Sequence, residues 1–391
     1  MSFFQRYSSE DLAAIRFKGA GTTALDDEFL IRPEEVVASL FLLLLLALSL
    51  GSGAPVFEPI ESSQLTYNST KIFSLLLLAM LFWTLGQRIT ARIRMGMGAA
   101  EESVAQDREA GRLAWARVWR VTRDWLPAVM SLGIYESLKH LHLNEIILWL
   151  GNSPKDDLMI RIDQVFFGGH ASVWMQSLIT PAFTFYMLLV YYVGYYLYPA
   201  VVGVVFYLFR PRVAFRELVL AFLATTFIGY TIYILVPVAG PRFELQHLYE
   251  TTFVDRFFLQ RWQEQARFDY DCFPSLHTAV PLVVNVIAFR HVRWLGYLLL
   301  PFVVSTVFST LYLQMHYLID VVAGVALVPF AVAIGVRGDK WWAALMAALG
   351  RRFPGFLGAV SRQSRRGRVL ARVFQVLIVG VAIYWMRQLI V

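Results

Sequence analysis

The sequence predicts an all-α polytopic membrane protein with about nine transmembrane helices, and three observations support this fold class. Hydrophobic residues make up 58% of the 391-residue chain. Only 16% of residues are charged, against about 25% in an average soluble domain. Apolar runs of about 20 residues, the length that crosses a bilayer as a helix, recur along the chain. These proportions exclude an ordinary soluble protein.

The apolar runs define the expected spans. In chain order they are 36–56, 71–87, 125–141, 180–208, 214–238, 277–290, 293–313, 316–336 and 370–390. The runs 125–141 and 277–290 are short or polar for a span. Between the third and fourth spans, the segment 143–178 is partly apolar and partly amphipathic, and we expect it to lie at the membrane interface without crossing.

The basic residues predict the orientation in the membrane. The formal net charge is +7, and the arginines and lysines are concentrated in four segments, 88–124, 209–216, 290–293 and 337–368. The loops 57–70 and 313–316 are almost free of basic residues, whereas 239–276 carries both signs. By the positive-inside rule, the N-terminus is cytoplasmic, and 239–276 and 313–316 both face outwards. The charge therefore reports topology, and no nucleic-acid partner is expected.

Two motifs at the outer ends of predicted spans carry the chemistry. They are CFPSLHTA at 272–279 and MHYLID at 315–320. His316 and Asp320 are four residues apart, so we expect them on one face of a helix, where the carboxylate would orient the imidazole. His277 begins its own helix, and a helix N-terminus favours a bound phosphate.

A cationic group completes this constellation. Arg242, in PVAGPRF at 237–243, lies at the outer end of the preceding span, and arginine binds phosphate oxygens in a bidentate manner. The outer face thus gathers a nucleophile candidate, its orienting carboxylate, a proton donor and a cation. Phosphoryl transfer through a phosphohistidine requires this set.

Each of these features also has a structural interpretation. The His316–Asp320 pair fits a buried structural pair, and Ser275 fits an ordinary helix N-cap. Arg242 fits a side chain that extends from the membrane boundary to water. Their order along the chain and their common predicted face favour the functional interpretation.

The motifs also resemble those of a known family. Gly240-Pro241-Arg242, then PSLH at 274–277, then serine, histidine and aspartate at 309, 316 and 320, are similar to the motifs of the type 2 phosphatidic acid phosphatase (PAP2) superfamily. The resemblance implies a six-helix core running from about 125 to 336. It also implies a mechanism that needs no metal or other cofactor.

The resemblance assigns a role to each site residue. His316 would attack phosphorus, Asp320 would orient it, and His277 would protonate the leaving group. Ser275 and Arg242 would help to hold the phosphate. The domain organisation that follows is an N-terminal segment with two spans and a basic cytoplasmic loop, the catalytic core, and a basic amphipathic segment with a last span. Their bounds are 1–124, 125–336 and 337–391.

The sequence departs from the usual phosphatase pattern at three points. Thr310 stands where an arginine is usual, Leu235 stands where a lysine is usual, and 274–277 reads PSLH in place of PSGH. These variations look like the branch that contains inositol phosphorylceramide synthase. Arg261 and Arg267 are candidates to replace the missing cations. A site with fewer cations suits a singly charged phosphodiester better than a monoester, which favours transfer over hydrolysis.

The predicted function is a membrane phosphotransferase that moves a phospho-headgroup from a donor phospholipid to a lipid or polyol acceptor. Its substrates would be membrane lipids, and its active site would be periplasmic or luminal, in a bacterial inner membrane or a eukaryotic endomembrane. One alternative is a lipid phosphatase acting on phosphatidate or a polyprenyl (pyro)phosphate. Another is a proton-coupled transporter, which the lack of internal repeats and broken helix pairs disfavours.

Two further groups of residues have open interpretations. Tyr191, Tyr192, Tyr195 and Tyr196 either line a lipid or acceptor cavity or pack between helices. Asp269 and Asp271 either bind the hydroxyls of an acceptor, or a cation, or form a solvated acidic loop.

Overall fold

A computed structural model describes residues 32–53, 120–131, 134–135, 138, 143–249 and 270–352, and within these ranges the ordered elements are helices. The all-α fold class is therefore confirmed for this part of the chain. The predicted spans 71–87 and 370–390 lie outside the described residues.

The helices are numbered here in chain order. They are α1 (Pro33–Ser52), α2 (120–131), α3 (Leu143–Trp149), α4 (Asp156–Phe167), α5 (Ala171–Trp174), α6 (Pro181–Phe209), α7 (Arg212–Leu235), α8 (Pro241–Glu244), α9 (Leu276–His291), α10 (Arg293–Tyr312) and α11 (Leu318–Arg352). Short 3₁₀ turns follow α5 at Met175–Leu178 and α8 at Gln246–Leu248.

Five of these helices, α1, α6, α7, α10 and α11, are long and apolar enough to cross a membrane. The protein is thus an integral membrane protein of the helical type. Helix α9 has 16 residues, which is short for a span, and α3, α4 and α5 have 7, 12 and 4 residues, too few to cross.

Helix α7 is the centre of the bundle. In its most apolar stretch 78% of residues are buried, against 28–39% in the other four long helices. It packs against α1, α6, α9 and α11. The outer faces of the other helices expose large apolar side chains such as Leu50, Val304 and Phe330, as lipid-facing surfaces do.

The last described helix corrects one sequence prediction. The sequence predicted a span at 316–336 followed by a separate amphipathic segment, but α11 continues without a break to Arg352. An ion pair supports the extension past Gly338, since Arg216 on α7 donates to Asp339 at 2.7 Å. One helix therefore joins the predicted core to the basic segment.

A network of ion pairs, most of them buried, joins the helices at one end of the bundle. Its pairs are Arg32–Asp124, Arg123–Glu35, Arg212–Asp124, Arg216–Glu34, Arg216–Asp339, Arg290–Glu217 and His291–Glu217. Buried charges of this kind are tolerated because each has a partner. This end holds the start of α7 and the end of α9, so it lies opposite the two histidine motifs.

Candidate active site

Three loops converge at the other end of the bundle. They are 236–240 after α7, 270–275 before α9, and 313–317 between α10 and α11. The amide of Cys272 donates to the carbonyl of Val238 at 3.1 Å, and the amide of Ser275 donates to the carbonyl of Asp320 at 3.0 Å. The three predicted motifs therefore share one side of the protein.

His316 and Asp320 are in contact, but not in the way the spacing predicted. His316 lies in the loop and α11 begins only at Leu318, so the two residues do not share a helix face. Asp320, at the third helical position, accepts the amide of Tyr317 at 2.8 Å, which is the backward half of a capping box. This geometry brings its Oδ2 to 3.4 Å from Nδ1 of His316.

The second histidine faces the first. His277 lies in the first turn of α9, and its ring centroid is 6.1 Å from that of His316, with 51° between the ring planes. The two rings are 39 positions apart in the sequence and belong to different helices and loops. The fold therefore assembles one carboxylate and two imidazoles into a single cluster.

Close contact between α9 and α11 sets this separation. At Gly324 on α11, an added Cβ would lie 2.6 Å from the carbonyl oxygen of Ser275 and 3.0 Å from Cβ of Thr278. Only glycine allows the two helices to approach this closely. Because Ser275 is two residues before His277, the contact fixes the position of that histidine relative to α11.

Ser275 has a structural role in this fold. Its Oγ accepts the amide of Thr278 at 3.2 Å, so it is the N-cap of α9. The residue is fully buried. The N-cap interpretation thus describes its observed contacts, and a phosphate-binding role remains a prediction.

Arg242 lies on the short helix α8, immediately after a tight turn. Gly240 has φ +107°, and an added Cβ there would lie 2.9 Å from Sγ of Cys272 and 3.0 Å from the carbonyl oxygen of Met315. The arginine loop therefore packs directly on the loop that carries His316. Arg242 as a whole residue is half-buried, and its guanidinium is close enough to Tyr249 to interact electrostatically.

Cys272 contacts the nucleophile candidate and its carboxylate. Its Sγ is 3.0 Å from the carbonyl oxygen of Met315, 3.1 Å from Oδ2 of Asp320 and 3.3 Å from Nδ1 of His316. Burial, reinforced by the charge of Asp320, raises the pKa of the Cys272 thiol well above its ordinary value. The thiol therefore keeps its proton and donates to Asp320 and to the carbonyl of Met315, a role that no sequence motif indicated.

The same three residues are the candidate metal ligands in the part of the chain that the structure describes. One donor atom from each of Cys272, His316 and Asp320 lies within 4.8 Å of the others. Thiolate, imidazole and carboxylate are ligand types that zinc accepts. Metal binding would require the thiol to lose a proton that burial holds, so the expectation of a site without metal is retained as a prediction.

Helix α4 supplies two site residues that the sequence analysis missed. Asp156 accepts the amides of Ala239 and Gly240 at 2.9 and 2.8 Å. Asp163 accepts the amides of Leu318 and Ile319, the first two residues of α11, at 2.9 and 3.0 Å. The only signal in the sequence was a pair of acids seven residues apart in an amphipathic segment.

Two of the four tyrosines at 191–196 on α6, which we call the tyrosine band, contact His277. The ring of Tyr191 stacks on that of His277 at 4.0 Å with 10° between the planes, and the ring of Tyr195 lies at 4.5 Å. Tyr191 falls in a π-helical stretch of α6, Leu189–Gly194, and such stretches are frequent at functional sites. The band therefore forms one wall of the site, while a role in lipid binding stays a prediction.

The structure describes some of the remaining residues that the sequence analysis singled out, and others lie outside the described ranges. Asp271 accepts the hydroxyl of Tyr135 at 2.7 Å. Thr310 is buried, and its carbonyl accepts the amide of His316 at 3.2 Å. The side chain of Leu235 is 59% exposed. The alternative cations and the second acid of the loop, Arg261, Arg267 and Asp269, lie outside the described residues.

The structure is that of a helical integral membrane protein in which a buried aspartate and two facing histidines form one cluster at one end of the bundle. Residues 159–334 match the family model of the PAP2 superfamily, so this region of the chain is similar to that superfamily. The match begins in α4 and ends within α11, so it includes the whole histidine cluster. Members of that superfamily are phosphatases or phosphotransferases, and the match supports an enzyme. Comparisons with curated proteins and with solved structures gave no match.

Proposed function

We propose that this protein is a lipid phosphotransferase that works through a phosphohistidine formed on His316. The observation that carries the proposal is the 6.1 Å separation between the rings of His277 and His316, with Asp320 directly behind the second ring. A nucleophile, its orienting group and a proton donor are thereby close enough to act on one phosphorus atom.

In the first half-reaction, His316 attacks the phosphorus of a donor phospholipid. Its Nδ1 faces Asp320 at 3.4 Å, which leaves Nε2 as the attacking atom. An N–P bond forms and the bond from phosphorus to the lipid alcohol oxygen breaks. His277 gives its proton to that oxygen, and Asp320 stabilises the positive charge on the phosphorylated imidazole.

In the second half-reaction, the hydroxyl of an acceptor replaces the lipid alcohol. His277, now neutral, takes the proton of that hydroxyl, an O–P bond forms, and the N–P bond breaks. The enzyme then has the protonation state in which it began. With a lipid or polyol acceptor this sequence is a transfer, and with water it is a hydrolysis.

The distribution of cations favours transfer. Thr310 and Leu235 stand at positions where a phosphatase would have arginine and lysine, and neither brings a charge to the site. Arg242 remains, on a loop packed against the nucleophile loop. One cation balances a phosphodiester, which carries a single negative charge, better than a monoester, which carries nearly two.

The site would face the periplasm or a lumen, because the basic loops predict the opposite end of the bundle to be cytoplasmic. The proposed chemistry uses side chains alone. Incubation with a strong chelator such as EDTA should therefore leave turnover unchanged, and loss of turnover that zinc or magnesium restores would contradict this part of the proposal.

Lipid assays on the purified protein test the reaction. Phosphatidylinositol should give a new phospholipid with ceramide, or with a diacylglycerol whose acyl chains differ from those of the donor, and phosphatidate alone should give little phosphate. Release of phosphate from phosphatidate without any new lipid would contradict transfer and support the phosphatase alternative.

Variants test the assigned roles in the same assay. His316→Ala should abolish turnover, and His277→Ala should lower it by about 10²–10⁴-fold, as for a lost general acid. Asp320→Asn should lower the rate in a folded protein. His247→Ala is the matched control, because His247 is an exposed histidine at the same end of the molecule. Full activity of His316→Ala would exclude the proposed nucleophile.

A further inference from the structure

Helix α4 presents one buried stripe to the candidate site. Asp156, Met159 and Asp163, spaced three and four residues apart, are 4%, 3% and 1% exposed. On the other side of the helix, Val165 and Phe166 are 77% and 75% exposed. The acidic residues therefore point into the protein, where a carboxylate requires hydrogen-bond donors.

Asp156 connects two of the catalytic loops. Its Oδ2 accepts the amide of Ala239, and its Oδ1 accepts the amide of Gly240, two residues before Arg242. The same Oδ1 accepts the hydroxyl of Tyr317 at 3.1 Å. Because Tyr317 follows His316 directly, the carboxylate of Asp156 links the loop 236–240, which precedes Arg242, to the loop 313–317, which contains His316.

Asp163 holds the start of α11. Its two oxygens accept the amides of Leu318 and Ile319, which are among the amides that a helix N-terminus leaves without an intrahelical partner. Asp320, one residue further, accepts the amide of Tyr317. Two carboxylates therefore hold the first turn of α11, which follows His316. Asp320 belongs to this turn, and Asp163 belongs to α4.

Met159 fills the space between the two acids. It belongs to a small apolar cluster with Val238, Cys272 and Tyr317, which come from the three converging loops. The backbone strengthens this contact, since the amide of Lys155 donates to the carbonyl of Pro237 at 2.8 Å. Helix α4 therefore contacts every loop of the site.

We propose that Asp156 and Asp163 are positioning residues for phosphoryl transfer. They fix the position of Arg242 relative to His316 through hydrogen bonds to the backbone next to each of these residues. This inference rests on the proposed function, since it assigns the two acids to the same reaction. Neither acid contacts the phosphorus in this proposal. Each acts through the amides it accepts.

The expected effect follows from the number of acceptors. A carboxylate offers two acceptor oxygens, whereas an asparagine amide offers one oxygen and places an N–H₂ group against the second donor. Asp156→Asn and Asp163→Asn therefore each release at least one loop amide while changing the side-chain volume very little. Misplacement of a reacting group by about 1 Å costs about 10²-fold in rate.

The test compares these variants with Asp157→Asn, in which the neighbouring and exposed acid is changed. Each protein is assayed with phosphatidylinositol and ceramide or with phosphatidate, whichever the wild type turns over. Asp156→Asn and Asp163→Asn should lower kcat at least 10-fold with a smaller change in KM, and Asp157→Asn should match the wild type.

A rapid-quench measurement separates positioning from loss of folded protein. A structural defect lowers the amplitude of the first-turnover burst and leaves its rate constant unchanged, whereas misplaced groups lower the rate constant at constant amplitude. Tyr317→Phe removes only the hydroxyl link to Asp156 and should give a smaller effect. The double variant Asp156→Asn/Tyr317→Phe should be less impaired than the product of the two single effects, because both break the same link.

Wild-type rate constants in both aspartate variants, or losses confined to burst amplitude, would overturn the inference. If His316→Ala is inactive in the same experiment, the proposed function survives that outcome. If His316→Ala retains turnover, the proposed function fails independently of the result for α4. Should Asp156→Asn not fold, Asp163→Asn and Tyr317→Phe decide the question.

Discussion

The contact between α9 and α11 at Gly324 gives the sharpest test of the site geometry. An alanine Cβ at this position would lie 2.6 Å from the carbonyl oxygen of Ser275, about 0.8 Å inside the 3.4 Å limit of ordinary contact. The obstacle is backbone, so no side-chain rotation relieves it. The two helices must separate, and His277 must move away from the loop that carries His316.

The effect on rate should exceed the effect on stability. Overpacking costs about 1–3 kcal/mol, and replacing a glycine inside a helix by alanine returns about 1 kcal/mol. A shift near 0.8 Å between proton donor and nucleophile is close to the displacement that costs about 10²-fold in rate. We therefore expect Gly324→Ala to fold and to lose about 10–100-fold in kcat.

Gly335→Ala is the matched control on the same helix. Its Cβ would lie 2.6 Å from the carbonyl oxygen of Glu217, so the shortest contact equals that at Gly324. The site is eleven residues away, about 16 Å along the helix axis. Thermal unfolding and turnover of both variants in the same detergent give the comparison. Equal kcat in the two variants, at equal stability, would refute the argument that this crossing positions the histidines.

Three further predictions concern other contacts. Gly240→Ala should lower both melting temperature and turnover, because φ is +107° and the Cβ would lie 2.9 Å from Sγ of Cys272; wild-type values for both would contradict the tight turn. Cys272 should resist iodoacetamide at pH 7–8 until the protein is denatured, because its raised pKa leaves little of the reactive thiolate; rapid labelling of the folded protein, measured by mass spectrometry, would contradict it. Arg216→Ala should destabilise the protein by about 3 kcal/mol, because Glu34 loses its nearest guanidinium, while the rate constant at the distant site should stay unchanged; an unaltered melting temperature would contradict this.

The sequence predicted correctly those features that a local pattern of residues determines. Apolar runs of spanning length predicted the helical membrane fold, and the positions of α6, α7 and α10 agree with the predicted spans within a few residues. The motif order predicted that His277, His316 and Asp320 would lie together, and the fold brings them into one cluster. Their catalytic roles are proposals that the variants above test.

The sequence failed where the answer depends on contacts between distant segments. A four-residue spacing indicated a shared helix face for His316 and Asp320, but the cap of α11 places the histidine in a loop. In the sequence, Asp156 and Asp163 resemble ordinary acids of an amphipathic helix, because the amides that they accept lie 83–156 positions further along the chain. A local pattern does not encode such long-range capping.

Trapping the covalent intermediate tests the central claim most directly. Purified protein is mixed with the donor lipid, quenched within one turnover at alkaline pH, where phosphohistidine persists, and digested for mass spectrometry. We predict a phosphorus-containing adduct on His316, with the mass of the phospho-headgroup for a transferase, and its absence from His316→Ala. An adduct on a different residue, or sustained turnover with none at His316, would contradict the account.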